Sequence, residues 1–204
     1  MKIAIIDSGI HAGHAHVGEV AGGVAIVSDH WADRLGHGTA VAGAIREKAP
    51  EAELYAVKVF DTRLSASIDV LIRAIEWCIE HRMDAINLSL GTANEAHRGR
   101  FEALIGAAPL IVSAAHLLPG SLPGVIGVEP EEDCPREEYR YRNGIFYASP
   151  YPRSIPGVPR ERNLHGVSFA VANITGFVTR LEVPPTREAL ILKADQRKAD
   201  QRAP

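Results

Sequence analysis

The chain has 204 residues and a formal net charge of -3, from 22 Lys and Arg against 25 Asp and Glu. That length suits one domain with a single sizeable core, and that charge leaves no basic patch of the strength a nucleic-acid partner requires. No run of about 18 apolar residues and no N-terminal export signal occurs, so neither a membrane nor secretion is indicated, and a cytoplasmic location is expected.

KIAIID opens the chain as a short apolar run ending at Asp7-Ser8-Gly9, which predicts a buried strand stopping in a turn. GVAIVS (23–28) predicts a second strand, and HGTAVAGAIREKA (37–49) a helix that Pro50 ends. AELYAVKVF (52–60) reads as the next strand. Beyond it Ile68, Leu71, Ile72, Ile75, Cys78 and Ile79 recur at helical spacing, with Ser65 as the expected cap. DAINLSL and PLIVSAA are further strands, separated by a helix over residues 94–107. Such alternation implies an α/β fold with a mostly parallel sheet and helices on both faces, whose ligand site lies beyond the carboxyl ends of the strands. That rule puts Asp7, Ser89 to Gly91 and His116 along one edge.

After Val128 the pattern weakens. EPEEDCPREE carries Glu129, Glu131, Glu132, Asp133, Glu137 and Glu138 against Arg136 alone; a solvated loop is expected, with a site for a basic peptide as the alternative. Cys134 lies in this stretch and Cys78 on the apolar face of its helix; two unmatched cysteines fit a reducing compartment. KADQRKADQR (193–202) repeats one five-residue unit and reads as a solvated helical tail, so the chain divides into a domain over 1–183 and a polar tail over 184–204.

HGVSFAVANITG (165–176) places Ser168 two residues after Gly166, where a helix-like run begins. Alone, that serine reads as a helix cap. IIDSG, however, puts Asp7 at a strand end and GHGTAVAG puts His37 at a helix start, and acyl transfer needs a nucleophile, a base to take its proton and a carboxylate to orient the base. These segments, together with ELYAVKVF and IEWCIEHRMDAINLSLG, resemble the subtilase family of subtilisin-like serine proteases in content and in order. The resemblance implies a subtilisin-like three-layer sandwich, with Ser168 as nucleophile, His37 as general base and acid, and Asp7 as the orienting carboxylate. It also implies that Ser89, Leu90 and Gly91 line the primary specificity pocket. Leu64, Ser65 and Ala66 then stand where an extended substrate is paired by strand addition.

The chain departs from the family at several positions. His116 occupies the place of the oxyanion asparagine and, as an imidazole that can donate, is expected to serve as the oxyanion residue. Ala172, followed by Asn173, stands where a proline usually follows the nucleophile, and Ala40 replaces a second histidine common after the catalytic one. Only REKAPEA joins the His37 helix to ELYAVKV, so the loop that resembles a calcium ligand set in secreted relatives is missing, and no metal or other cofactor is expected. No inhibitory segment is expected before Met1, and restraint through narrow specificity is expected in its place. The expected function is a serine endopeptidase acting on a peptide or protein substrate, a processing protease that removes a leader segment from a peptide or small protein subunit. A catalytically impaired scaffold that binds peptides is the alternative, which His116 and Ala172 favour. Neither a nucleic-acid nor a membrane partner is expected, and the need for a partner protein is left open.

Overall fold

KIAIID forms β1 (Lys2–Asp7), buried from Ile3 to Asp7. The structure is a computed structural model and describes residues 1–200, with side chains through Ala194. After β1 the chain forms β2 (Gly22–Ala25), α1 (His37–Lys48), β3 (Glu53–Lys58), α2 (Ile68–Glu80) and β4 (Ala85–Leu88). It continues through α3 (Arg98–Ile105), β5 (Leu110–Ala114), β6 (Ile126–Pro130), β7 (Arg140–Arg142), β8 (Ile145–Ala148), α4 (Val167–Val178) and α5 (Arg187–Asp200). The strands make one sheet in the order β2-β3-β1-β4-β5-β6-β8-β7, parallel except for the β7–β8 pair.

Side chains alternate across a strand, and β1 uses both faces. Ile3 and Ile5 join Val41 and Ile45 of α1 and Ile174 and Phe177 of α4 in one core. Ala4 and Ile6 join Leu71, Ile75 and Cys78 of α2 and Phe101 of α3 in the other. The result is the α/β sandwich, helices covering both faces of a mostly parallel sheet. Two glycines allow its tightest approaches. A Cβ on Gly38 would come within 2.1 Å of the Gly9 carbonyl oxygen, and one on Gly176 within 2.9 Å of Lys48 side-chain carbons. The first lets the start of α1 sit against the end of β1, and the second lets α4 lie close on α1. Both therefore set where His37 and Ser168 end up.

The structure differs from the sequence reading in four places. Helix α2 is capped by Ser67, whose hydroxyl accepts from the Val70 N–H at 3.4 Å, rather than by Ser65. Three strands follow Val125, two of them joined by a hairpin whose Asn143 and Gly144 take φ of 50° and 85°, as a tight turn of this kind requires. Within the acidic run, Glu131 meets Arg140 at 2.7 Å and Arg142 at 2.5 Å, Glu132 meets His165 at 2.5 Å, and the Cys134 side chain is buried beneath them. The run thus folds over its own cations. Finally, the segment read as a polar tail contains α5, which buries Leu190 and Ala194 in the core, and the Leu190 carbonyl accepts from the Tyr139 hydroxyl at 2.8 Å. Residues 201–202 of the repeated unit lie outside the described residues.

Ala172 and Asn173 are fully buried inside an unbroken α4. Asn173 accepts from the Lys48 ammonium at 2.6 Å and donates to the Ser149 and Tyr151 carbonyls. Burial, reinforced by Arg136 and opposed by Glu47, pushes the Lys48 pKa down to about 8. The unfolded chain then binds this proton more tightly than the folded one, so unfolding takes up a proton between pH about 8 and the ordinary 10.5. Stability is expected to rise with pH through that window. Thermal melts across it should show the rise in the wild type and a flatter profile in Lys48→Met; equal slopes would remove Lys48 as its source.

Candidate active site

Asp7 ends β1 and His37 begins α1, and the close approach at Gly38 brings them together. The Asp7 carboxylate is fully buried, and its Oδ1 accepts from His37 Nδ1 and from the Ser8 N–H, each at 2.7 Å. With Nδ1 donating, His37 Nε2 is free to take a proton. Burial lowers the His37 pKa, but the hydrogen bond and charge of Asp7, helped by Asp33, outweigh it and leave the imidazole above its ordinary value.

Asp33 is a site residue that sequence reasoning missed. Its Oδ1 accepts from the Ser8 hydroxyl and the Leu35 and Gly36 N–H groups, and its Oδ2 from the Thr39 N–H and hydroxyl. Burial opposes its charge, yet these bonds, those from Thr39 foremost, hold its carboxyl below the usual range. The Ser8 hydroxyl in turn accepts from the Gly38 N–H at 2.9 Å. Asp33 thereby ties the first turn of α1, and so the base, to the end of β1. Asp-x-x-Gly before His37 is the signal that could have pointed to it, since a carboxylate there can accept from free first-turn N–H groups.

Ser168 is the second residue of α4 and lies over the end of β4. Its hydroxyl donates to the Ser89 carbonyl at 3.3 Å, while the Ser89 hydroxyl donates to the Ser168 carbonyl at 3.5 Å. Asn87 donates to the Ser89 hydroxyl at 2.8 Å and accepts from Thr175, two turns along α4, at 2.9 Å. The ring of Phe169, next to the serine, packs 5.5 Å from that of His37. The fold thus gathers Asp7, His37 and Ser168 at one sheet edge. Among the described residues no hydrogen bond joins His37 to Ser168, a link that often tightens only when substrate is bound.

Five of the six residues expected to bind substrate share one pocket. Leu64, Ser65, Ala66, Leu90 and Gly91, with Phe60 and Leu71 behind them, line a cavity of about 430 Å³. Ser89, next to Leu90 in the chain, is not part of that lining and instead exchanges hydrogen bonds with Ser168. Residues 64–66 belong to no sheet and are largely exposed, as a strand awaiting an extended partner would be. His116 does not join the cluster. It follows β5, its side chain is 78% exposed, and its Nε2 lies against the Glu129 carboxylate of the neighbouring β6. The imidazole is therefore directed along the sheet to Glu129, and no hydrogen bond or ion pair links it to Ser168 among the described residues. The first-turn N–H of Ser168 itself, at the positive end of α4, remains as an oxyanion donor. No three His, Cys, Asp or Glu side chains group to hold a metal ion among the described residues.

The family likeness covers Asp7, His37 and the residues of the Leu64 to Gly91 pocket. The subtilase family matches residues 1–116, more than half of the chain, and the chain belongs to that family. Minor extracellular protease Epr of Bacillus subtilis (strain 168) is 43% identical over 107 residues, which cover 47% of this chain and 16% of that protein. Subtilisin E of the same organism is 42% identical over 103 residues, covering 45% and 27%. The chain thus matches only a minor part of the length of these relatives. A solved structure described as a cold adapted subtilisin-like serine proteinase superposes with a TM-score of 0.68 over 88% of this chain and 74% of that one, at 18% identity, which shows the shared fold. The family match ends before Ser168, so the assignment of that residue rests on its position in the fold.

Proposed function

We propose that this chain is a serine endopeptidase that hydrolyses peptide bonds with Ser168, His37 and Asp7. The observation that carries the reading is the buried Asp7–His37 pair, held at 2.7 Å beside the helix start that bears Ser168. In that arrangement Ser168 attacks the carbonyl carbon, His37 Nε2 receives its proton and later hands it to the leaving amine, and Asp7 steadies the imidazolium. Narrow specificity, such as removal of a leader segment from a peptide or small protein subunit, is the role we infer, because the Leu64 to Gly91 pocket is of moderate size and includes an exposed, unpaired segment. No described helix is long and apolar enough to cross a membrane, and both cysteines are free and buried, which supports a reducing compartment.

A fluorophosphonate probe tests the activity directly. Stoichiometric label on Ser168 in folded protein is expected; its absence favours the second reading, a scaffold that binds peptides without cutting them. The open His37–Ser168 link and the outward His116 are what speak for that alternative. His116→Ala separates the two roles of the imidazole. Because the ring faces Glu129, turnover is expected to fall by less than about tenfold, whereas loss of an oxyanion donor costs roughly 100-fold or more. A loss of that larger size, measured as kcat at unchanged KM, would show that the ring swings to the substrate during reaction.

A further inference from the structure

A second cavity, of about 570 Å³, lies on the other side of the catalytic residues. Its walls include Thr39 and Ala40 from the first turn of α1, just after His37, and Asn163 and Leu164 from the segment just before Ser168. These elements cover the α1 and α4 face of the sheet, whereas the Leu64 to Gly91 pocket sits on the α2 face. An extended peptide crossing the triad therefore has one end over each cavity.

The chemistry of this cavity is one-sided. His11, His14, His16, Arg34 and Arg153 line it against a single acid, Asp33. Asp33 is spent, since both of its oxygens already accept from Ser8, Leu35, Gly36 and Thr39. Arg153 reaches in from the loop before α4 and gives one donor to the His16 carbonyl at 3.2 Å, with no other partner for its fork among the described residues. Arg34 is 73% exposed and only loosely paired, 3.9 Å from an Asp61 that also meets Lys58 at 3.2 Å. Burial first, then the charge of Arg153, holds the His16 pKa below its ordinary value with Glu47 opposing, so this ring serves the cavity as a neutral donor; Glu47 is itself engaged by Arg136 and Lys48. The imidazoles form a contiguous row, with ring centroids 6.0 Å apart for His11 and His14 and 5.3 Å for His14 and His16, and His14 Nδ1 accepts from the His16 N–H; no three of the described His, Cys, Asp or Glu side chains group to hold a metal ion. Two arginines and three imidazoles thus face one ionised carboxylate whose acceptor sites are already filled, and a concave, partly apolar space with that excess of donors and positive charge selects an anion.

We propose that this cavity receives a carboxylate of the peptide substrate, on the far side of the scissile bond from the residues held over the Leu64 to Gly91 pocket. The assignment of sides rests on the protease reading above. An aspartate or glutamate side chain and a terminal carboxylate present the same group, so both are ligands to be compared. The acidic residue enters between Arg34 and Arg153, with its stem against Ala40, Ile155 and Leu164.

The test reads binding rather than cleavage. Wild-type protein with ¹⁵N-labelled histidine is titrated with three probes: a capped Ala-Glu-Ala tripeptide, its Gln counterpart, and an Ala-Ala-Ala tripeptide with a free carboxyl end. The imidazole resonances of His11, His14 and His16 are expected to move with the Glu probe, the free-carboxyl probe or both, at concentrations about tenfold below any needed by the Gln probe. Which acid acts at the lower concentration identifies the source of the carboxylate. Arg153→Gln should weaken the acid response by a similar factor, Arg153→Lys should keep much of it, and Arg34→Gln serves as a second, more exposed variant should the first perturb the loop. Responses to both acid probes no stronger than that to the Gln probe, or none to any, would overturn the proposal. Fluorophosphonate labelling of the wild type reports on the protease reading separately, so the two can fail independently.

Discussion

Ser168→Ala and His37→Ala are each expected to remove nearly all peptide cleavage while leaving the fold intact. In subtilisin, a relative of this chain, loss of the serine or the histidine alone costs on the order of 10⁶ in kcat, about as much as loss of the whole triad, because the groups act as a unit. The two side chains differ in how much stability they carry, though neither holds the fold together. Ser168 gives up one hydroxyl contact to the Ser89 carbonyl, and His37 is anchored through Nδ1 to an aspartate that keeps its Ser8 N–H bond. Far-ultraviolet circular dichroism should therefore stay close to wild type in both variants, with melting near wild type in Ser168→Ala and lowered in His37→Ala, which leaves the buried Asp7 carboxylate short of one partner. Cleavage of the natural substrate above about a tenth of the wild-type rate by either variant would sink the triad assignment. That threshold leaves wide room, since residual catalysis from binding and the oxyanion site alone lies orders of magnitude lower.

The parts of this site legible in the sequence are those whose signal is local. Asp7 ends a short apolar run that reads as a strand, His37 opens a helix directly after Gly36 and Ser168 is the second residue of a helix after Gly166, so chain order and element type are readable from short windows. The supporting groups are not local. Asp33 acts on Ser8, 25 residues away, and Thr175 reaches Ser89 only through Asn87 on another strand, 88 residues distant. His116 shows the same limit with a different outcome. Its position along the chain suggested an oxyanion donor, but β5 and β6 lie side by side and set it against Glu129. The strands after Val125 were missed because β7 and β8 are only 3 and 4 residues long, too short for a period to emerge beside a run of acids. Asn143-Gly144 was the available clue, a hairpin turn signal flanked by aromatic residues.

Asp7→Asn should be nearly as damaging as loss of the base, and its pH profile should show why. The same change in a chymotrypsin-type triad lowers turnover by about 10⁴ through the wrong imidazole tautomer. Here the Ser8 N–H also donates to Oδ1, so an asparagine places its carbonyl oxygen, not its amide nitrogen, at that point. The His37 Nδ1 bond then survives, while the amide takes the position of Oδ2, which is buried and has no hydrogen-bond partner. A donor stranded there costs stability, on the order of 1–3 kcal/mol. The larger loss is of charge, because nothing else as close compensates the imidazolium that forms when His37 takes the serine proton. In the wild type the hydrogen bond and charge of Asp7 hold the His37 pKa above its ordinary value despite burial, so activity rises as the base deprotonates through that raised value. The sign for stability is opposite: the contribution of the pair is complete below the unfolded pKa and fades as pH climbs through the folded one. Asp7→Asn removes the raising effect and leaves burial. The acid limb of kcat/KM should shift to lower pH, with the plateau reduced by roughly 10³ to 10⁴. A variant with the wild-type acid limb and plateau would show that Asp7 does not orient the base.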